Sequence, residues 1–263
     1  MKKLLWIVIP AMLITACTRV PITNRKQVHL LPESQMISMS LAAYSDFLKE
    51  SDVVDAGKDN NSVHRVADKL IPAVTKVLND EGYGDLIKGY QWEVNLVESK
   101  EPNAWCMPGG KIVVYTGILP YTKDDAGLAV VLGHEIAHAV ARHGNERMSQ
   151  GLLAETGFMA LDVALANKPT ETRNLLMTAV GVGTQVGVLL PFSRTQESEA
   201  DRLGLIFMAA AGYDPHNAIN FWERMSANSA GIPEFLSTHP SDETRITNIR
   251  DTYMNEAMKY YSK

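Results

Sequence analysis

Apolar residues recur at helical spacing over residues 60–80, where Val63, Val66, Ala67, Leu70, Val74, Val77 and Leu78 fall on one stripe. Residues 33–50 also predict a helix, joined to the first by a polar connection over 52–61. The period then changes to two: residues 91–98 alternate through Trp92, Val94 and Leu96, as a half-buried strand does. Residues 103–106 and 112–115 flank Pro108-Gly109-Gly110 and predict a hairpin. Helical spacing returns over 123–150 in Leu128, Val131, Leu132, Ile136 and Val140, with Thr122 and Asp125 placed to form a capping box. The apolar run over 175–192 has the length of a membrane span, but Thr178, Thr184, Gln185 and three glycines argue against one. Val186 also breaks the glycine pattern of a dinucleotide loop, so this run predicts a buried helix leading toward residue 197. Residues 18–32 show no periodicity and predict a tether.

At the start of the chain, Lys2 and Lys3 precede an apolar run over 4–13 that ends in Ile14-Thr15-Ala16-Cys17. A charged head, a short apolar stretch and small residues before a cysteine describe a lipoprotein signal, with Cys17 acylated after cleavage. The expected organisation is a signal peptide over 1–16, a lipid-anchored tether over 17–32 and one domain over 33–263, long enough for a substantial core. Without Lys2 and Lys3 the 25 basic side chains fall to 23 against 30 acidic ones, a net charge of −7. No basic patch or arm is visible, which excludes nucleic acid as an expected partner. Cys17 and Cys106 are the only cysteines. With Cys17 lipidated, Cys106 has no disulfide partner and reads as a small apolar residue near a strand end.

The chemistry concentrates in His134-Glu135-Ile136-Ala137-His138. Residues i and i+4 share a helix face, so His134 and His138 can offer two imidazoles to one Zn2+ ion, with Glu135 close enough to serve as the base. A catalytic zinc site takes three protein ligands and a water. The longer motif that would supply a third histidine fails, because position 141 is Ala and position 144 is Gly. Downstream, Glu197 and Asp201 are again i and i+4. Glu197 can ligate the metal, while Asp201 accepts the outer N–H of a ligating histidine and fixes its tautomer. Glu199 lies on the opposite side of that helix and stays out of the shell. His29, His64, His143 and His216 receive no ligand role.

His-Glu-Ile-Ala-His, then Ser193-Arg194-x-x-Glu197-x-Glu199-Ala200-Asp201, then Thr238-His239-Pro240 with Arg245 beyond it, resembles the HtpX and CAAX-prenyl-protease family of zinc metallopeptidases. The resemblance covers roughly residues 60–255 and is nearest to that family's soluble lipoprotein branch in bacterial envelopes. It implies a gluzincin of α+β class, mainly helical, with a small antiparallel sheet next to the zinc-binding helix. It implies one zinc ion per chain on His134, His138 and Glu197, Glu135 as general base, and His239 at the developing oxyanion with Arg245 holding its loop. Asn103, Ala104 and Trp105 would form a sheet edge that binds an extended substrate by strand addition. The expected substrates are unfolded or misfolded envelope polypeptides. The expected location is the bacterial envelope, lipid-anchored on Cys17; Thr18 after the cysteine matches sorting to the outer membrane, facing the periplasm. The competing reading is a non-catalytic lipoprotein that uses the fold as a binding or assembly module. Such a protein would lose the base or a ligand, and this chain retains them all.

Overall fold

A computed structural model describes residues 17–166, 168–185, 190–227, 239 and 243–261. The chain opens with a short antiparallel pair, β1 (Cys17–Arg19) and β2 (Lys26–Val28). Helices α1 (Glu33–Lys49) and α2 (Lys58–Asp80) follow. All seven residues of the predicted apolar stripe on α2 are buried. Each such valine or leucine contributes about 1.5–3 kcal/mol relative to exposure.

Strands β3 (Glu93–Val97), β4 (Ala104–Met107) and β5 (Lys111–Tyr115) form a sheet in the order β3-β5-β4. The hairpin between β4 and β5 turns on Gly109 and Gly110, both at positive φ (91° and 84°), where a side chain would be strained. Beyond a short α3 (Leu119–Thr122), the principal helices are α4 (Asp125–Val140), α5 (His143–Ala164), α6 (Thr170–Thr184) and α7 (Leu190–Ala210). The chain continues through α8 (Asn217–Ala227), α9 (Glu243–Asn248), a π-helical turn over Ile249–Tyr253 and α10 (Met254–Ala257). Helices α2, α4 and α7 pack on one another, β3 lies on α2 and β4 on α4. The mainly helical α+β class is therefore borne out.

Four local expectations are corrected. The sheet is mixed: β4 pairs antiparallel with β5, but β3 pairs with it in parallel, Leu96 opposite Val114. The hairpin reverses the chain between β4 and β5, and β3 runs opposite to β4, so β3 and β5 point the same way.

The periodic stretch over 123–150 is two helices. α4 is capped by Asp124, whose carboxylate accepts from the Gly127 amide, rather than by Thr122 and Asp125. It ends where Arg142 takes the left-handed conformation at φ 59°. An arginine gives no sequence signal for such a turn; here its side chain reaches Glu33 at 3.3 Å and the Leu86 carbonyl at 3.4 Å.

Residues 18–32 are also more than a tether. They carry the β1–β2 hairpin, with Val20 wholly buried, and Ser149 and Asn145 of α5 bind the backbone of Leu30 and Leu31.

The run over 175–192 is not one buried helix. α6 packs against α5 and leaves Leu175 and Val182 70% and 59% exposed. Residues 186–189 lie outside the described residues, and α7 begins at Leu190. No helix among the described residues is long and apolar enough to cross a membrane.

Candidate metal centre

The site lies where α4 crosses α7. The crossing is close because Gly133 and Gly204 face each other, backbone against backbone. It sets His134 and His138 of α4 opposite Glu197 and Asp201 of α7, all four buried. His134 Nε2 lies 3.1 Å from His138 Nε2. The Glu197 carboxylate reaches both rings at 3.3 Å, one oxygen to each. Donor atoms of His134, His138, Glu197 and His239 all lie within 4.8 Å of one another.

His239 is closer than the sequence reading allowed. Its Nδ1 stands 2.9 Å from Glu197 Oε2 and 3.1 Å from His134 Nε2, so the ring lies among the donors rather than apart from them. Its Nε2 lies 3.4 Å from Glu135 Oε1. That Glu135 oxygen is buried and has no hydrogen-bond partner among the described residues.

The outer nitrogens of both histidines are held. His134 Nδ1 meets Asp201 Oδ1 at 3.0 Å, in the arrangement expected for Asp201. Arg245 donates to the same oxygen at 2.6 Å and to the His239 carbonyl at 3.3 Å. Its guanidinium stacks 3.4 Å above the Trp222 ring, which also abuts His134. Arg245 thus ties the His239 segment to the carboxylate behind His134.

On the other side, His138 Nδ1 lies 2.8 Å from His143 Nδ1, and His143 Nε2 lies 3.3 Å from Glu199 Oε2. Sequence reasoning missed this pair. Five residues apart on a continuous helix, His138 and His143 would point apart; the turn at Arg142 folds one ring back on the other.

Electrostatics follow from burial. Burial pushes the Glu135 carboxyl above its ordinary range. It would do the same to Glu197, but the imidazoles of His138, His134 and His239 reverse the effect and hold that group ionised. Burial depresses His138 and His143 and keeps them neutral. In His134 burial opposes the charge, yet the Asp201 and Glu197 carboxylates outweigh it and hold the group up at about 9.

Two imidazoles and a carboxylate, converging on one point with their outer atoms held, are a donor set that zinc takes in catalytic sites. The residues present fit such an ion. Glu135 supplies a further buried oxygen, 3.4 Å from His239 Nε2 and without a hydrogen-bond partner among the described residues.

Beside α4, β4 is an edge of the sheet, paired among the described residues only with β5. Ala104 faces the main core, whereas the Trp105 ring packs on the opposite face, 5.1 Å from Phe47. Asn103 precedes the strand, its carbonyl accepting from the Tyr115 amide at 3.0 Å. The half-buried Cys106 also lies in β4, and burial raises its thiol.

A helix carrying H-E-x-x-H crossed by a second helix carrying a glutamate is the arrangement of the gluzincin metallopeptidases. The chain belongs to one such family: residues 58–253 match Peptidase family M48. It is 34% identical over 235 residues to the mitochondrial metalloendopeptidase OMA1 of Schizosaccharomyces pombe, covering 88% of this chain and 65% of the relative. With human OMA1 the identity is 31% over 252 residues, covering 91% of this chain and 46% of the relative. With the beta-barrel assembly-enhancing protease of Escherichia coli it is 29% over 163 residues, covering 59% and 33%. The chain therefore spans between a third and just under two-thirds of the length of these relatives.

Proposed function

We propose that the chain is a zinc-dependent endopeptidase that hydrolyses peptide bonds within polypeptides. The observation that carries this reading is the buried Glu135 oxygen, without a hydrogen-bond partner among the described residues, beside the His134, His138 and Glu197 cluster. His134, His138 and Glu197 would hold one zinc ion, which would supply the Lewis acidity to polarise a carbonyl and acidify water. Glu135 takes the proton of the attacking water and passes it to the leaving nitrogen, a transfer favoured by a carboxyl raised by burial. Asp201 and His143 orient the two ligating rings by their outer nitrogens. His239 acts on the developing oxyanion, and Arg245 holds its segment. The free edge of β4 at Asn103, Ala104 and Trp105 takes the substrate backbone by strand addition. The Trp105 ring faces away from α4, so main-chain atoms make this contact.

The narrower likeness to the HtpX and CAAX-prenyl-protease members rests on the three ordered motifs. Cys17 carries the lipid and holds the protein at the bacterial envelope, on the outer membrane facing the periplasm. Its substrates there are unfolded or misfolded envelope polypeptides; the likeness to the beta-barrel assembly-enhancing protease of Escherichia coli supports that setting. The reading is tested by incubating the purified chain with an unfolded protein, with and without chelator. Internal cleavage that chelator abolishes and zinc restores is expected; cleavage indifferent to chelator would contradict it.

A further inference from the structure

Behind His138 the buried polar groups continue past His143. Glu199, which receives the His143 Nε2–H, also accepts from the Arg25 Nε at 2.6 Å and from the Thr23 hydroxyl at 2.7 Å. Arg25 places its other two nitrogens on Glu146, at 2.6 and 2.7 Å. Glu146 and Glu199 are nine-tenths or more buried, and Arg25 lies within the hairpin that follows Cys17. The chain of contacts is therefore His138, His143, Glu199, Arg25, with donors consistent at each link. His138 Nδ1–H donates to His143 Nδ1, His143 Nε2–H donates to Glu199, and Arg25 donates to Glu199.

Energetics argue against a purely stabilising purpose. A buried ion pair seldom returns more than its desolvation costs. Here two buried carboxylates share one arginine, with Gln196 also donating to Glu146. A carboxylate behind an imidazole is useful in another way: it fixes which ring nitrogen carries the proton and makes the other a better ligand. Glu199 does this at one remove, through His143, and only while Arg25 and Thr23 hold its carboxylate in place.

We propose that Arg25 is a positioning residue for the metal centre, acting on His138 through Glu199 and His143. The N-terminal hairpin is then a part of the site: undocking it would loosen the metal. This inference rests on the ligand set given under Proposed function.

The test is zinc affinity of the full-length protein, measured by competition with the chromogenic chelator 4-(2-pyridylazo)resorcinol, alongside the melting temperature of each metal-free variant. Arg25→Ala and His143→Gln are each expected to weaken zinc binding by about tenfold or more, the usual consequence of losing such a partner. The double variant is expected to be no weaker than the weaker single, because both cut the same chain of contacts. Arg25→Lys, which keeps the charge but not the fork, should fall between wild type and alanine.

A lowered melting temperature with wild-type zinc affinity in Arg25→Ala would overturn the proposal, as would losses that multiply in the double variant. Should Arg25→Ala fail to fold, Glu199→Gln carries the test: it keeps the volume and an oxygen for Thr23 but removes the carboxylate. Wild-type affinity there overturns the inference, and a tenfold loss upholds it. A wild-type protein that binds no zinc would instead remove the ligand assignment itself.

Discussion

Gly133 and Gly204 touch backbone to backbone: a Cβ on Gly133 would stand 2.9 Å from the Gly204 carbonyl oxygen, and one on Gly204 would stand 2.9 Å from the His134 amide nitrogen. The contact fixes the separation of the helix bearing both histidines from the helix bearing Glu197. Gly204→Ala should therefore displace α7 and with it the carboxylate. Overpacking of this kind costs about 1–3 kcal/mol, while alanine in a helix returns about 1 kcal/mol. The melting temperature is expected to fall by only a few degrees, whereas zinc retention falls clearly. Unchanged zinc retention would show that the crossing tolerates a methyl group and does not set the site.

Asp201 accepts from His134 and from Arg245 at once. Asp201→Asn is expected to weaken zinc binding about 10–100-fold without removing a ligand. It also leaves the buried Arg245 facing a neutral partner, so stability falls too. Zinc titration and thermal melting read the two effects separately, and wild-type zinc affinity would remove Asp201 from the site.

His239 stands between two roles, touching both Glu197 and the neighbourhood of Glu135. As a group acting on the oxyanion, its loss in His239→Ala should lower kcat by about a hundredfold or more and leave zinc stoichiometry unchanged. Loss of zinc from that variant would make His239 a fourth ligand instead. Near-normal turnover in a folded variant would remove it from the reaction altogether.

His29, beside β2, sets an acid dependence on the hairpin. Burial, reinforced by the Arg142 charge, depresses its pKa from 6.5 to about 4. The unfolded chain therefore takes up a proton between pH 6.5 and 4 that the folded chain refuses. Stability from this group is intact above that window and falls as pH drops through it. Denaturation midpoints measured across the range should fall more steeply for wild type than for His29→Gln. Equal slopes would contradict the assignment.

Sequence alone exposed α1, α2 and α4 and the strands β3, β4 and β5, because their apolar positions keep one period; β1 and β2, in a stretch without periodicity, stayed hidden. It also set His134 beside His138 and Glu197 beside Asp201, pairs that the structure brings together, because i, i+4 spacing on a helix is a statement about geometry. It could not expose what depends on the chain changing direction. The turn at Arg142 carries no glycine, so the periodicity ran on and His143 was set on the wrong side of His138. Arg25 meets Glu199 across 174 positions of sequence, a pairing no local pattern encodes. Residues 175–192 misled for a different reason: their apolar content reads as burial, but α6 packs against α5 and leaves Leu175 and Val182 mostly exposed.

The proposed hydrolysis needs Glu135 as the base and not as a ligand. Glu135→Gln keeps the side chain's size and removes the carboxylate, so the variant isolates that role. Zinc content by elemental analysis, paired with hydrolysis of an internally quenched peptide, decides the matter. One zinc per chain with hydrolysis reduced to background is expected. One zinc per chain with wild-type hydrolysis, or loss of the metal along with the activity, would contradict the account.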